Sequence, residues 1–326
     1  MKAKFTLFII LLFVMDQLAA QRSCSSHAYQ QQVLSNNPSI AGKLIAIKAF
    51  TSREIASRAN STFRTTGSTI IKIPVVVHIL YHNPSENVSD AVVMSQINAL
   101  NRDFRRMAAD TVNTPAVFKS LAADCEIEFQ LAISDPQRRS TTGIIRKYTP
   151  TTRWESDDKM KFSSETGDDA WDSKSYLNIW VCNLDKVAGY ASVMGGPENR
   201  DGVVIGIPVF GTINTAEGFD KGRTAVHEVG HWLNLRHIWG DTNCGDDFVD
   251  DTPKQAGYNL GCPSGIRITC GNDPNGDMYM NYMDFTSDAC MNLFTKGQKA
   301  RMRALFAEDG ARNSILSSKG LSAPLI

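Results

Sequence analysis

The chain has 326 residues, of which 34 are basic and 34 acidic, so its formal net charge is zero. Hydrophobic residues make up 42% and charged residues 21%, the composition of an ordinary globular protein with one large core or two modest domains. The balanced charge gives no support to a nucleic-acid-binding protein or to a surface that holds membranes by charge.

The first 20 residues have the layout of a secretory signal peptide. Lys2 and Lys4 precede the apolar run FTLFIILLFVM, and the small residues Ala19 and Ala20 follow it. The run is short for a membrane span, so an uncleaved anchor is the less favoured alternative. We therefore expect residues 1–20 to be removed and the mature protein to be secreted, with no membrane partner.

Residues 21–60 are polar and weakly patterned, which is typical of a short extension or pro-segment. After it, the run IIKIPVVVHILY predicts a strand, and SDAVVMSQINALNRDFRRM predicts an amphipathic helix. Further strands are expected near 125–133, 176–184 and 202–210, followed by the helix GRTAVHEVGHWL and a closing helix, TKGQKARMRALFA. This order of elements predicts an α+β catalytic domain over residues 61–326.

The helix with the sequence GRTAVHEVGHWL carries a candidate metal site. His227 and His231 are four residues apart, so they share one helix face and can bind one zinc ion. Glu228 lies beside them, where it can hold a zinc-bound water. A third histidine, His237, follows six residues later, at a position that a continuing helix would carry out of reach.

The helix must therefore end between His231 and His237. Such an end commonly places one residue in the left-handed conformation, which glycine adopts most easily and asparagine next. Asn234 occupies this position, so we expect it to terminate the helix and to let His237 turn back towards the metal.

The stretch HEVGHWLNLRH resembles the extended zinc motif of the metzincins, with Asn234 in place of the usual glycine. The segment NYMDF supplies Met283 for the methionine turn of that class. Together with IPVVVHILY, LNIWVCNL, GYASV, DDFVDDTP and CMNLFTKGQKARM, these motifs look like the pappalysin family and its secreted ulilysin-like bacterial members. The resemblance spans roughly residues 70 to 306.

The resemblance implies a two-lobed zinc protease domain. Its upper lobe would be a twisted mixed sheet with helices, and its lower lobe would be loop-rich with a C-terminal helix. Gly189, Tyr190 and Ala191 would form the edge strand that pairs with an extended peptide substrate. Two disulfides would hold the lower lobe together, Cys244–Cys270 and Cys262–Cys290. Zinc binding by these four cysteines is the weaker alternative, because their spacing lacks the usual short pairs.

The implied reaction is hydrolysis of peptide bonds. Zinc would acidify a bound water, and Glu228 would act as the general base and then as the acid that protonates the leaving amine. Met283 would be a packing floor beneath the zinc. One position departs from the family: similar proteins carry a tyrosine two residues after this methionine, whereas this chain has Phe285. We expect weaker stabilisation of the oxyanion from that side.

Three further expectations concern calcium, latency and specificity. The acidic loop GDDFVDDTP can supply calcium ligands, with Asp247, Asp250 and Thr252 as candidates; a solvated loop, or Asp251 in an internal salt bridge, is the alternative. Cys24, in the segment before the catalytic domain, is a candidate zinc ligand of a zymogen, although pairing with Cys125 or Cys182 is a rival. Relatives favour arginine after the scissile bond, and Asp288 is the candidate acid that would recognise it.

Three functions are compatible with these motifs. The favoured one is a secreted, monomeric zinc endopeptidase acting on peptides or proteins. The alternatives are a binding protein that keeps the zinc scaffold without catalysis and a zinc hydrolase of a non-peptide substrate. The presence of Glu228 argues against the first alternative, because a non-catalytic protein has no need of that base.

Overall fold

The computed structural model describes residues 23–60 and 69–325. The signal peptide expected at residues 1–20 lies outside these ranges. Within them, no helix combines the length and the apolar character that crossing a membrane requires.

A six-stranded mixed sheet forms the core of the upper part of the molecule. Its strands are β1 (Ile71–Tyr81), β2 (Ile127–Leu131), β3 (Ile144–Tyr148), β4 (Leu177–Cys182), β5 (Gly189–Ala191) and β6 (Val203–Gly206). The order is β2-β1-β4-β6-β5, and β3 also pairs with β1. All pairings are parallel except that of β5, which runs antiparallel to β6 at the edge. The sequence predicted this fold class, and the mixed sheet confirms it.

Strand β1 is the centre of the sheet because it pairs with β2, β3 and β4. Its residues are buried almost throughout, which explains the nearly continuous β-branched and apolar run. Strand β3 was not predicted from the sequence. Its segment IIRKY is short and only partly buried, so it lacks the apolar pattern by which buried strands are recognised.

The helices of the upper part lie where periodicity placed them. Helix α3 (Asp90–Phe104) begins after Ser89, whose hydroxyl accepts a hydrogen bond from the backbone N–H of Val92. It buries Val93, Ile97, Leu100 and Phe104 in the core, as predicted. A short helix, α4 (Ala116–Lys119), follows, and α5 (Arg223–Trp232) packs against α3, β5 and β6.

The lower part consists of loops and helix α6 (Lys296–Ala304). Thr295 caps α6 through a reciprocal pair of hydrogen bonds with Gln298. The disulfides Cys244–Cys270 and Cys262–Cys290 cross-link the loops, each with Cα atoms 5.6 Å apart, in the pairing that the resemblance implied. Three cysteines are free thiols, and two of these are buried: Cys24, Cys125 and Cys182.

The N-terminal segment is more ordered than its weak pattern suggested. Residues 26–60 form two helices, α1 (Ser26–Asn36) and α2 (Pro38–Asn60). Helix α1 packs against β5, and α2 packs against α6. Few apolar residues on α2 are buried, such as Ile40 and Leu44. The segment therefore lies on the surface of the catalytic domain. Because helix α2 buries so few apolar residues, its sequence gives only a weak helical pattern.

Candidate active site

Helix α5 carries two of the three candidate zinc ligands and is buried at nine of its ten residues. Its N-terminus is anchored by Asp288, whose Oδ2 accepts hydrogen bonds from the backbone N–H of Lys221 (2.8 Å) and Arg223 (3.2 Å). The buried guanidinium of Arg223 forms ion pairs with Asp103 (3.1 Å) and Asp110 (2.8 Å). These contacts fix the start of the helix, and therefore its histidines, against α3.

The helix ends in a left-handed turn at Asn234. Asn234 has φ = +70°, the left-handed conformation. The backbone N–H of Leu235 donates to the carbonyl of Gly230, and that of Asn234 donates to the carbonyl of His231, each at 2.9 Å. This is the Schellman arrangement of a helix C-terminus. Arg301 of α6 stabilises the turn by donating to the Asn234 carbonyl at 2.7 Å.

The turn brings the three histidine rings together. Nε2 of His231 is 3.1 Å from Nε2 of His227 and 3.1 Å from Nε2 of His237. Tetrahedral bonds of about 2.0–2.1 Å to one zinc ion would place ligand nitrogens at roughly this separation. Sequence reasoning alone could state that a turn was needed, and the structure supplies its geometry.

The opposite nitrogen of each ring has a fixed partner. Nδ1 of His227 lies 2.7 Å from the Tyr282 carbonyl, and Nδ1 of His231 lies 2.9 Å from the Leu235 carbonyl. Nδ1 of His237 bonds the carboxylate of Asp241. Because these oxygens accept, each Nδ1 carries the proton and each Nε2 presents a lone pair to the common centre. Asp241 was missed in the sequence, because nothing marks a carboxylate four residues after His237 as its partner.

The electrostatics of the site favour neutral histidines. Desolvation, and then the nearby His237, lower the pKa of His231 to about 3, although its ring keeps some contact with solvent. Desolvation likewise lowers the pKa of His237. Three imidazoles whose Nε2 atoms converge form a donor set that suits Zn²⁺, so the residues present fit the metal.

Met283 lies under the active-site helix. A Cβ atom at Gly230 would be 2.5 Å from the sulfur of Met283, so these two residues are in close contact. The Met283 carbonyl accepts a hydrogen bond from the backbone of Ile238 at 3.2 Å. Met283 thereby joins the helix to the segment that follows His237, which is the position expected of a packing floor.

Phe285 forms the aromatic wall of the site. Its ring centroid is 5.6 Å from that of His227, 4.9 Å from that of His237 and 5.3 Å from that of Tyr258. The side chain of Tyr282, in contrast, packs against Phe294, with ring centroids 4.8 Å apart. The ring at position 285 therefore faces the histidines without a hydroxyl group.

Glu228 and the edge strand β5 meet beside the histidines. Glu228 is 1% exposed, and a Cβ at Gly189 would lie 3.0 Å from its Cγ. Glycine at position 189 thus allows the strand to approach the carboxylate closely. The placement puts a carboxylate between the candidate metal ligands and the backbone of β5.

The start of the N-terminal segment lies between the three histidines, Glu228 and strand β5. Cys24 forms an isolated parallel bridge with Gly189, and its Sγ lies within 4.8 Å of the ligand atoms of His227, His231 and His237. Sγ of Cys24 is also 3.4 Å from Oε2 of Glu228. Among the residues that the structure describes, this is the group of side chains suited to holding a metal ion. Cys24, Cys125 and Cys182 are not paired with one another.

Ser26, close to Cys24 in the chain, contacts both Glu228 and strand β5. Its hydroxyl donates to Oε2 of Glu228 at 2.9 Å and accepts from the backbone N–H of Ala191 at 2.8 Å. The carbonyl of Gly189 accepts from the backbone of Ser25 at 3.2 Å. The N-terminal segment therefore forms hydrogen bonds with both the carboxylate of Glu228 and the edge of β5. Sequence analysis missed Ser26, because a serine in a polar run carries no signal.

The acidic loop brings two of the three candidate calcium residues together. The hydroxyl of Thr252 donates to both carboxylate oxygens of Asp247 at 3.0 and 2.9 Å, while Asp250 is exposed. Burial raises the pKa of Asp247 to about 7. Asp251 accepts hydrogen bonds from the Thr295 hydroxyl (2.6 Å) and the Gly297 backbone (2.8 Å) at the start of α6. Asp251 thus caps a helix.

A helix bearing H-E-x-x-H, a left-handed turn, a third histidine and a methionine under the helix define a metallopeptidase of the metzincin class. Residues 161–307 match the family described as Pregnancy-associated plasma protein-A. An extracellular metalloprotease of Pyricularia oryzae is 30% identical over 305 residues, which cover 89% of this chain and 94% of the relative. The chain therefore belongs to the pappalysin family of metalloendopeptidases, as its motifs predicted.

Solved structures of the family share the fold. A Tannerella forsythia promirolysin mutant is 46% identical, with a TM-score of 0.82, over 91% of this chain and 97% of that chain. Mature mirolysin of Tannerella forsythia, in complex with a cleaved peptide, is 51% identical, with a TM-score of 0.75, over 77% of this chain and 97% of that chain. The pro-form thus matches a larger share of this chain than the mature form does.

Proposed function

We propose that the chain is a secreted zinc-dependent endopeptidase made as a zymogen. Residues 1–20 would be the signal peptide, 21–60 the pro-segment and 61–326 the catalytic domain. The observation that carries the proposal is the convergence of three histidine Nε2 atoms beside Glu228 and β5. Export is supported by the relatives named extracellular metalloproteases.

The proposed reaction divides between binding and proton transfer. His227, His231 and His237 would hold a zinc ion, which would supply a Lewis acid for the scissile carbonyl and the attacking water. Glu228 takes the proton of that water and then delivers it to the leaving amine. The N–H of Ala191 and the carbonyl of Gly189 hold the peptide backbone as an added strand. Phe285 contributes packing but no hydrogen bond to the oxyanion.

Latency follows from the same contacts. In the zymogen, the Cys24 sulfur would lie at the position of the attacking water, and the Ser26 hydroxyl engages Glu228. The larger match of the pro-form of mirolysin to this chain supports a removable N-terminal segment. A Cys24→Ala precursor should therefore mature faster than the wild type, and maturation at an unchanged rate would contradict the role of the thiol.

Two finer features belong to the same proposal. Calcium would be bound by the loop containing Asp247, Asp250 and Thr252, where Asp247 is a buried carboxylate whose pKa is raised by burial. Asp288, a buried residue whose carboxylate accepts from the backbone at the start of α5, would favour arginine after the scissile bond, a preference that rests on the resemblance to the family. The substrates would be peptides or proteins, and we expect a monomer.

The deciding experiment is cleavage of casein and of an arginine-containing peptide by the purified secreted protein with calcium. Glu228→Ala should reduce cleavage by at least about 10²- to 10⁴-fold while the zinc content stays unchanged. Zinc binding without any cleavage would indicate a non-catalytic scaffold. Hydrolysis of an ester without peptide cleavage would indicate a hydrolase of a different substrate class.

A further inference from the structure

A buried polar cluster lies beside β5, outside the zinc-binding and proton-transfer groups. It consists of Asp158, Lys161 and Tyr190, whose exposed fractions are 1%, 0% and 0%. Nζ of Lys161 is 2.8 Å from Oδ1 of Asp158, and the Tyr190 hydroxyl donates to the same oxygen at 3.0 Å. We call these three residues the rim cluster. Charges are seldom buried this deeply without a specific partner.

The partner in this structure is Tyr29 from the N-terminal segment. Its hydroxyl donates to Oδ2 of Asp158, the oxygen that Tyr190 leaves free for it. Its ring centroid is 5.0 Å from that of Tyr190, and Nζ of Lys161 lies 5.8 Å from it. Burial, and then the Asp158 charge, raise the pKa of Tyr29, so its hydroxyl keeps the proton that it donates.

The chemistry of the rim cluster selects this side chain. An aromatic ring packs against Tyr190 at a tilted angle of 47° and lies near the ammonium of Lys161, which a ring of any kind can do. Only a hydroxyl at the para position also donates to Oδ2 of Asp158. A phenyl ring in the same place would remove this hydrogen bond and leave Nη1 of Arg200, 3.7 Å away, as a remaining charged partner of the oxygen. Removing one partner of a buried hydrogen bond costs more than a typical bond contributes. The rim cluster thus distinguishes tyrosine from phenylalanine.

The rim cluster is within reach of a peptide on the edge strand. Tyr190 is the middle residue of β5, and its neighbours Gly189 and Ala191 bond residues 25 and 26 of the N-terminal segment. Tyr29 follows Ser26 by three residues, about one helical turn, or roughly 5 Å along the chain. Because an extended peptide advances about 3.3 Å per residue, a side chain two or three residues from the contact with Gly189 can reach the same place.

We propose that the rim cluster is a substrate subsite for a tyrosine side chain, which Tyr29 fills while the N-terminal segment is present. Removal of that segment vacates the subsite beside the strand that holds the substrate. A peptide with tyrosine at the matching position then donates its hydroxyl to Asp158 as Tyr29 does. This inference rests on the proposed function, because it needs a mature enzyme that cleaves peptides bound along β5.

The test uses the secreted enzyme after its own maturation. Every peptide of a series carries one arginine directly after the intended scissile bond. A single tyrosine is then placed in turn at three positions before and three positions after that bond, the position of the arginine excepted. Each peptide has matched partners with phenylalanine or leucine in its place. At one position, tyrosine should exceed phenylalanine in kcat/KM by about tenfold or more, mainly through KM, as expected for a bond to a buried carboxylate.

The variant Asp158→Asn should reduce this tyrosine-to-phenylalanine ratio towards one, and the ratio within each variant is independent of overall activity. Should loss of the charge beside Lys161 prevent folding, the double variant Asp158→Asn/Lys161→Met removes both charges together. Equal cleavage of tyrosine and phenylalanine peptides at every position would overturn the subsite while leaving the protease intact. Absence of any Glu228-dependent cleavage would overturn both proposals.

Discussion

The left-handed residue at the end of α5 gives the sharpest prediction about stability. Replacement of Asn234 by alanine puts a Cβ at φ = +70° without the local hydrogen bonds of an asparagine side chain. Left-handed backbone costs an ordinary residue about 1–2 kcal/mol. The variant also loses contacts of the amide group with Thr51 (3.3 Å) and Arg301 (3.4 Å).

Replacement of the same residue by glycine is the matched control. Asn234→Gly loses the same two side-chain contacts but adopts the left-handed backbone freely. Glycine gives up about 0.4–1 kcal/mol through the greater freedom of its unfolded chain. The difference between these two effects leaves glycine about 1 kcal/mol more stable than alanine at position 234. Because both variants lack the side-chain contacts, this difference reports on the backbone conformation alone. In a chain of this size it corresponds to roughly 2 °C in Tm.

Two assays check this reasoning. Differential scanning calorimetry with zinc present should rank Asn234→Gly above Asn234→Ala in Tm. A chelator competition should show weaker zinc binding by the alanine variant, because the turn carries the Leu235 carbonyl that bonds His231 and leads on to His237. Equal stability of the two variants, or greater stability of the alanine variant, would refute the account of the turn.

Three further outcomes follow from the site. Asp241→Asn should weaken zinc binding by about 10- to 100-fold, measured by chelator competition, because His237 loses a carboxylate partner. Phe285→Tyr should raise kcat/KM by supplying a hydroxyl beside the histidines. In EGTA, the free energy of unfolding should fall as pH rises from about 4 to about 7, because burial raises the pKa of Asp247 from 3.8 to about 7 and the folded state alone retains that proton. Calcium should remove this slope.

Each of these outcomes has a result that contradicts it. Unchanged zinc affinity in Asp241→Asn would show that the neighbouring groups orient His237 without the carboxylate. An unchanged kcat/KM in Phe285→Tyr would show that the ring does not face the developing charge. Absence of this pH slope in EGTA, or its removal by magnesium as well as by calcium, would argue against a calcium site at Asp247.

The sequence predicted the elements whose signal is local. The apolar period of α3, the β-branched run of β1 and the spacing of His227 and His231 each depend on residues close together in the chain. The need for a turn at Asn234 followed from helix geometry alone. Pairing of the four lower-lobe cysteines followed only from family resemblance, since four cysteines allow three pairings.

What the sequence could not predict depends on contacts between distant segments. Ser26 meets Glu228 across 202 residues, and Tyr29 meets Asp158 across 129. Helix α2 has few buried apolar residues because it packs on the surface of a domain that has its own core. Its sequence pattern therefore resembled that of a polar linker. The partly buried strand β3 acquires its structure from β1 rather than from its own composition.

The central position of β1 sets a limit on N-terminal trimming. Ile71 already pairs with Ile127 of β2, and its backbone N–H donates to the Glu126 carbonyl at 2.9 Å. The Thr69 carbonyl accepts a hydrogen bond from Arg303 at 3.1 Å. Cleavage within 61–68 would leave this pairing and the contact of Thr69 intact. Each cut beyond residue 71 would remove rungs from the strand to which three others are attached. The pairing of β1 therefore limits how far the N-terminus can be shortened without loss of the sheet.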